Sequence, residues 1–391
     1  MVCVAVDSGV EFCGIEWKLP DSRYKLRNRL GYGVNGVVVS AVDTWEGDAP
    51  VAIKKIIFDD HTDEARRVLR EVRLLRCLDH PNVLELLRAV VVSSEEEDEC
   101  SSSSSKALRR SSTYELYLVT ELLSTDLQRI IAAIANQESS SEGNGAATRT
   151  TFSLRPEQCQ YLVYQLLCGV RYIGSAGVLH RDLKPANVLI EVRTCQVRIC
   201  DFGLARADAV VDDMESGSAM TEYVVTRHYR APELLLGVRY GHPADLWSVG
   251  CILAEVLAPR KGVLFPGSER REMLACITRL RGRPEDLGFV TNPHARDFLL
   301  SLPAAPGASL GDHLGVGVPA QALDLLDQLL QFDPADRIID AISHPYLAWA
   351  RRRVGAGAAA LERPAPSRVS LADVEAPDAP LPQILFQEVR L

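Results

Sequence analysis

The chain has 391 residues, with 43 Lys and Arg against 52 Asp and Glu and a formal net charge of −9. This acidic balance argues against a nucleic-acid binder, since phosphate contacts need a basic face. The ten cysteines form no Cys-x-x-Cys pair, so we expect free thiols in a reducing compartment instead of a disulfide framework or zinc site. The length suits one bilobed domain or two ordinary ones.

The hydropathy pattern predicts a soluble intracellular protein. No apolar run approaches the length of a membrane-spanning helix. The N-terminus lacks a charged leader followed by a long hydrophobic segment, so we expect no signal peptide. Val2 stands where myristoylation would require Gly.

After a short extension, residues 1–22, the sequence predicts a β-hairpin around Gly31, Gly33 and Gly36. Such glycines let the backbone approach phosphates closely. The pattern Gly-x-Gly-x-x-Gly is weak on its own, and a dinucleotide-binding fold would need a helix after the third glycine. A β-branched run, 37–39, follows instead, which favours the hairpin.

The next predicted strand, 51–57, carries Lys54 between apolar neighbours, so this cation is expected to point inward and to need a partner. Helical spacing over 63–78 places Val68, Val72 and Leu75 on one face with Glu71 beside them. The alternative for either residue is an ordinary surface charge, and for Glu71 alone the sequence favours neither this alternative nor a role in the site. An inward lysine without a partner would be costly, so we expect Lys54 to have an anionic partner.

Two segments are too polar to bury themselves and are predicted as solvated loops: the acidic, serine-rich 93–113 and the Ser-, Gly- and Thr-rich 136–151. A strand, 114–122, and a short helix, 127–135, are expected between them. The following segment, 156–175, reads as a long amphipathic helix with Leu162, Leu166 and Val170 on its buried face.

The densest group of reactive residues lies in His180-Arg-Asp-Leu-Lys-Pro-Ala-Asn187 and Asp201-Phe-Gly203. Two acids, a cation and an amide stand here next to the apolar runs 188–190 and 197–200, which predict short strands. Phosphoryl transfer needs such a set because its transition state spreads negative charge over the phosphoryl oxygens. For any single one of these residues the alternative is a structural role in a buried ion-pair turn. That alternative does not account for the whole group in this order. The two stretches resemble the catalytic loop and metal-binding motif of the eukaryotic protein kinases.

This resemblance covers roughly residues 22–347 and implies an α+β, bilobed protein-kinase fold that uses ATP and Mg²⁺. A small β-rich N-lobe with one key helix would occupy 23–122, and a large, mainly helical C-lobe would occupy 123–347. An activation loop at 201–233 and a family insert at about 265–320 would lie within the C-lobe, and residues 348–391 would form a C-terminal tail.

The resemblance also implies roles for individual residues. Asp182 would accept or orient the proton of the substrate hydroxyl, and Lys184 would reach the transferring phosphate. Asn187 and Asp201 would supply the oxygen ligands that magnesium prefers. Lys54 would contact the ATP phosphates, held in place by Glu71. The other expected nucleotide-binding positions are Gly31, Gly33, Gly36, Val38, Ala52, Thr120, Glu121, Leu123, Asp126 and Leu189.

Between Asp201-Phe-Gly203 and Ala231-Pro-Glu233 lies Thr221-Glu-Tyr223, which resembles the extracellular-signal-regulated branch of the mitogen-activated protein kinases. A phosphate adds about −1.5 to −2 charge and several acceptors, so arginines can capture it and order the loop. The resemblance implies that phosphorylated Thr221 meets Arg70, Arg181 and Arg206. Phosphorylated Tyr223 would meet Arg227 and Arg230. The alternative for each arginine is a plain surface charge.

The implied function is a Ser/Thr protein kinase that phosphorylates Ser or Thr followed by Pro, in the cytoplasm and nucleus. An upstream dual-specificity kinase would activate it and phosphatases would reverse this, with no nucleic-acid or membrane partner. A catalytically silent scaffold is the alternative from another class, but its expected mark is loss of Lys54, Asp182, Asn187 or Asp201, and none is lost. Thr221-Glu-Tyr223 argues against a third reading, a cyclin-dependent-like kinase.

Other positions carry structural expectations or depart from the family pattern. Asp245 is expected to anchor the catalytic-loop backbone, and Glu233 to pair with Arg337. His228 stands where an aromatic Trp is usual, and Gly174 replaces a frequent His.

Arg351-Arg-Arg353 occupies the region of the family's acidic docking patch, so docking partners do not carry over. The acids Asp373, Glu375 and Asp378 are left as a possible replacement. Residues 351–383 read as a flexible tail. For Ile384-Leu-Phe386, packing onto the small lobe and a stray hydrophobic end both stay open.

Overall fold

The computed structural model describes residues 10–19, 23–33, 36–59, 62–94, 113–137, 154–207, 227–304, 306–376 and 379–390. Within this part of the chain the predicted α+β, bilobed architecture is confirmed: a five-stranded antiparallel sheet with one helix precedes a mainly helical lobe. Of the helices described here, none combines the length and apolar character needed to cross a bilayer.

The small lobe contains two sheets. Its strands are β1 (Val10–Phe12), β2 (Ile15–Trp17), β3 (Tyr24–Gly33), β4 (Gly36–Asp43), β5 (Ala49–Asp59), β6 (Leu86–Ser94) and β7 (Thr113–Glu121). The large sheet has the order β3-β4-β5-β7-β6, and β1 and β2 form a separate hairpin. Trp17 is 1% exposed and its ring centroid lies 6.0 Å from that of Tyr117. Part of the expected extension is therefore packed against the sheet.

Helix α1 (Asp63–Cys77) covers one face of the sheet. The side chain of Thr62 caps its N-terminus by accepting a hydrogen bond from the amide of Ala65. Val68, Leu69 and Val72 are buried against apolar residues of β5, β6 and β7, while a second apolar cluster that includes Trp17 covers the opposite face. The alternation of side chains along the strands produces these two layers.

Helices dominate the large lobe. Its elements are β8 (Thr125–Asp126), α2 (Leu127–Asn136), α3 (Pro156–Ser175), β9 (Val178–Leu179), β10 (Val188–Glu191), β11 (Gln196–Ile199), β12 (Arg206–Ala207), α4 (Pro232–Leu236), α5 (Pro243–Leu257), α6 (Arg270–Arg281), α7 (Pro293–Ser301), α8 (Leu310–Leu314), α9 (Ala320–Leu329) and α10 (Ala348–Val354). Helices α3 and α5 are buried along most of their length and carry the core beneath the β9–β11 region.

The C-terminal segment is more ordered than the sequence predicts. It contains α11 (Ala358–Leu361), α12 (Ala372–Glu375) and α13 (Leu381–Arg390). The prediction of a flexible tail is wrong for its described part, because this segment packs first on α3 and then on α1. Ile384 and Leu385 are 6% and 2% exposed, so the fold-back alternative describes this end of the chain.

Candidate active site

The glycine-containing hairpin lies next to the candidate site, because its second strand pairs Val38 with Lys54 of β5. The structure describes its strands, β3 and β4, but not the turn at 34–35. Gly36 has φ +113°, and a Cβ there would lie 2.1 Å from the carbonyl oxygen of Lys55. A side chain is therefore excluded at Gly36 by the neighbouring strand. A Cβ on Gly31 would meet nothing within 4 Å, so this position leaves space.

Lys54 and Glu71 form an ion pair beneath this hairpin. Lys54 Nζ donates to Glu71 Oε1 at 2.8 Å and to Oε2 at 2.9 Å, and the two side chains are only 18% and 9% exposed. Burial opposes the charge of Lys54, but the carboxylates of Glu71 and Asp201 outweigh it and hold the lysine pKa above its ordinary value. The cation is thus fixed and fully charged, as phosphate binding requires.

The segment before β10 holds Asp182, Lys184 and Asn187 together. Lys184 Nζ donates to Asp182 Oδ2 at 2.6 Å, and Asn187 Nδ2 donates to the same oxygen at 3.2 Å and to the Asp182 carbonyl at 2.8 Å. Asp182 is 8% exposed, and burial raises its pKa above the ordinary value for Asp. A higher pKa makes this carboxylate a better proton acceptor.

Asp201 lies beside Asn187 because the β10–β11 hairpin joins them: the amide of Cys200 donates to the Asn187 carbonyl at 3.0 Å. Burial raises the pKa of Asp201, but Lys54 and other nearby cationic groups lower it more, and the net shift is downward. Asn187 uses its amide nitrogen on Asp182, so its amide oxygen is the atom that suits a cation. Two oxygen donors fit Mg²⁺, which proteins bind through one or two side chains while substrate phosphates complete its shell.

The predicted catalytic segment, residues 180–187, contains a residue in an uncommon backbone conformation, and Asp201 shares that conformation. Arg181 and Asp201 have φ of 66° and 67°, in the left-handed region that few non-glycine residues adopt. Asp245, 2% exposed at the start of α5, accepts hydrogen bonds from the amides of His180 and Arg181 at 2.8 and 3.0 Å. The expected anchoring contact is therefore present.

His180 is a residue whose part in the site the sequence analysis missed. Its Nε2 lies 3.0 Å from the carbonyl oxygen of Cys200, and its ring centroid lies 5.0 Å from that of Phe202. The imidazole therefore joins the segment that carries Asp182 to the segment that carries Asp201. Its position two residues before Asp182 is the only sequence signal, and spacing alone does not reveal the partner.

The predicted adenine-side residues lie on strands of both lobes and on the segment that connects them. The register pairs Ala52 with Thr120 in the large sheet, and Leu189 with Asp126 across β10 and β8. The side chains of two of these positions already have structural partners. Asp126 caps α2 through the amide of Arg129 at 2.9 Å, and Glu121 accepts from Arg198 Nε at 2.7 Å. The remaining predicted positions are Val38, which lies on β4, and Leu123, which lies two residues after the end of β7.

The five arginines predicted to bind phosphate all lie within the described residues. Thr221 and Tyr223 lie outside the described residues. Arg70 bonds the carboxylate of Glu375 and donates to the Gly203 carbonyl at 3.0 Å. Arg206 lies in β12 opposite Leu179 of β9, close to the catalytic segment. The remaining members of the predicted set are Arg181, which precedes Asp182, and Arg227 and Arg230, which follow the undescribed residues 208–226.

Two further expectations concern the large-lobe scaffold. Glu233 and Arg337 pair as predicted, at 2.7 and 3.1 Å, with both side chains 0% exposed. The departure at Gly174 has a physical explanation, because a Cβ there would lie 2.2 Å from Nδ1 of His242. The imidazole of His242 fills the space that a side chain at 174 would need.

The predicted basic surface on α10 is present, with Arg351, Arg352 and Arg353 exposed. The suggestion that tail acids restore an acidic docking patch is wrong for Asp373 and Glu375, because both are paired with arginines of α1. Asp378 lies outside the described residues.

Comparison with known proteins identifies the family. Residues 24–347 match the protein kinase domain. The mitogen-activated protein kinase homolog NTF3 of Nicotiana tabacum and mitogen-activated protein kinase 2 of Arabidopsis thaliana are each 42% identical over 335 residues, which cover 84% of this chain and 78% of the relative. The chain is a mitogen-activated protein kinase. Mitogen-activated protein kinase 3 of Arabidopsis thaliana is also 42% identical, over 326 residues.

Membership of this family makes the chain a Ser/Thr protein kinase, a family that uses ATP and, in general, Mg²⁺. These relatives also favour the mitogen-activated branch over the cyclin-dependent one. The groups assembled around Lys54, Asp182 and Asp201 are those that phosphoryl transfer needs.

Proposed function

We propose that this kinase binds MgATP between its lobes and transfers the terminal phosphoryl group to Ser or Thr followed by Pro. The observation that supports this is the assembled set of charges: Lys54 closed onto Glu71, and Asp182 bonded by Lys184 and Asn187. A catalytically silent scaffold would not need these partners in place.

The proposed roles come from the resemblance to the family, and the contacts described above support them. Lys54 neutralises the ATP phosphates, and Glu71 limits its freedom to the productive position. Asp182 accepts the hydroxyl proton of the substrate, while Lys184 stabilises charge on the phosphoryl oxygens. Asn187 and Asp201 would hold Mg²⁺, which neutralises developing negative charge when it is bound. Rate enhancement then comes from positioning and electrostatics.

Control of this activity is proposed to rest on Thr221 and Tyr223. An upstream dual-specificity kinase would phosphorylate both, and phosphatases would remove the phosphates. The arginines expected to hold the phosphates come from α1, from the catalytic segment and from both ends of the loop. They are Arg70, Arg181, Arg206, Arg227 and Arg230. Because they belong to different elements, a phosphate bridging them would draw those elements together.

A peptide-transfer assay tests this proposal. The protein is phosphorylated on Thr221 and Tyr223, verified by mass spectrometry, and offered paired peptides that differ only in Ser-Pro against Ser-Ala. We expect transfer to the Ser-Pro peptide, loss of transfer in Asp182→Asn, and lower kcat/KM for the Ser-Ala peptide. No transfer to either peptide would contradict the enzymatic proposal, and equal kcat/KM values would contradict the proline preference alone.

A further inference from the structure

The segment after α10 crosses from the large lobe to α1. Tyr164 Oη donates to a carboxylate oxygen of Glu362 at 2.8 Å, and the amide of Val369 donates to the Ala176 carbonyl at 2.9 Å. Farther along, Val374 and Leu385 are 0% and 2% exposed within the apolar cluster that contains α1. The end of the chain is therefore an integral part of the small lobe.

Arg70 lies where this segment meets the active site, and the residue is 3% exposed. Its Nε donates to Glu375 Oε1 in a short contact, and its Nη2 donates to Oε2 at 3.3 Å. Nη1 of the same guanidinium donates to the carbonyl oxygen of Gly203 at 3.0 Å. A buried guanidinium needs such an anion, because an unpaired charge removed from water is costly.

These contacts connect Glu375 to both halves of the nucleotide site. Arg70 directly precedes Glu71, which holds Lys54, and Gly203 belongs to the segment that begins with Asp201. Because both oxygens of Glu375 hold the guanidinium of Arg70, this side chain sets the distance between α1 and the segment 201–203. The Lys54–Glu71 pair is closed at 2.8 Å while Arg70 is bound in this way.

We propose that Glu375 is a positioning residue: it supplies within the chain the anion that Arg70 otherwise takes from phosphorylated Thr221, and so gives the unphosphorylated kinase a basal activity. This inference rests on the proposed function, in which Arg70 binds that phosphate. A carboxylate carries less charge than the about −1.5 to −2 of a phosphate and one oxygen fewer. Phosphorylation therefore still raises activity.

The first test removes the charge where no phosphate can form. In a Thr221→Ala, Tyr223→Phe background, Glu375→Gln should lower kcat about tenfold, the effect of losing a charge-assisted contact that orders the site. Asp373→Asn is the matched control, since Asp373 pairs with Arg73 and its side chain is 55% exposed. The control should leave kcat unchanged. Equal kcat values for Glu375→Gln and its parent would overturn the inference.

The second test repeats the Glu375→Gln measurement on protein phosphorylated at Thr221 and Tyr223. Here kcat should fall less than about threefold, because the phosphate takes over Arg70. A residue that merely stabilises the fold would lower kcat equally in both forms. Such an equal loss contradicts the positioning role. Glu375→Asp keeps the charge on a shorter side chain and should fall between the wild type and Glu375→Gln in basal activity; matching values for Asp and Gln would also contradict it.

The wild type separates failure of this inference from failure of the proposed function. If the phosphorylated form transfers phosphate and the unphosphorylated form does not, the basal activity proposed for Glu375 does not exist. This result contradicts the inference but leaves the proposed function intact. Absence of transfer by both forms would contradict the proposed function as well. Thermal unfolding midpoints of Glu375→Gln and Asp373→Asn, measured together, show whether both variants are folded when assayed.

Discussion

Asp245→Asn should lower both the free energy of unfolding and kcat of this kinase. The carboxylate accepts from two backbone amides at 2.8 and 3.0 Å, in a position 2% exposed. A hydrogen bond to a charged group contributes about 1.5–3 kcal/mol. Asparagine keeps one acceptor oxygen but places an NH₂ group opposite the second backbone amide. One of the two hydrogen bonds is therefore lost, and the acceptor of the other is no longer charged. We therefore expect the free energy of unfolding to fall by about 2–4 kcal/mol.

The effect on catalysis follows from the backbone that Asp245 supports. Arg181 has φ of 66°, a conformation that costs about 1–3 kcal/mol and persists only where its surroundings impose it. Asp182 is the next residue, so relaxation of this turn would displace the proton acceptor. A displacement of about 1 Å costs on the order of 100-fold in rate, and kcat should fall by that factor.

Urea unfolding and steady-state kinetics on the same preparation provide the assay. Asp324→Asn is a suitable control, because Asp324 also accepts a hydrogen bond, from His344, but its side chain is 63% exposed. The control should stay within about 0.5 kcal/mol of the wild type. An Asp245→Asn protein with unchanged unfolding free energy and unchanged kcat would refute the view that this carboxylate holds the turn.

Three further outcomes are expected. Lys54→Met should lower kcat at least about 100-fold, whereas Lys55→Met, on the opposite face of the same strand, should lower the unfolding midpoint and spare kcat; equal kcat losses would contradict this. Gly36→Ala should destabilise by about 1–3 kcal/mol through its contact with the neighbouring backbone and its positive φ, and Gly31→Ala should not, as thermal unfolding will show; matching midpoints would refute the steric argument. Since burial raises the pKa of Asp182, and the carboxylate must be ionised to accept a proton, kcat should fall on acidification at a pH above the ordinary Asp range; an acid limb at or below that range would count against this assignment.

The most successful predictions from the sequence concern a buried charged residue that needs a partner. Lys54 lies between apolar neighbours and so needs an anion, the family resemblance identifies Glu71 as that anion, and Glu71 is the partner in the structure. The long helix at 156–175 also has the predicted bounds, because a proline opens it and apolar residues recur along its buried face.

Periodicity and composition in the sequence do not reveal contacts between distant segments. Arg70 and Glu375 are separated by 305 positions, and no periodicity relates them. The Ala-, Pro- and Arg-rich composition of 351–383 predicts flexibility, but individual hydrogen bonds to α3 and its C-terminal end fix the segment. Its order comes from partners elsewhere in the chain, which composition does not encode.

The C-terminal crossing also bears on ligands that act by displacing α1. Swinging this helix outward would separate Lys54 from Glu71, and it would also expose Ile384 and Leu385 of α13 to water. An inhibitor that selects the displaced state must therefore also supply the binding energy needed to separate α13 from α1. Compounds that fit the closed cleft do not need this energy, because α13 keeps its contacts with α1.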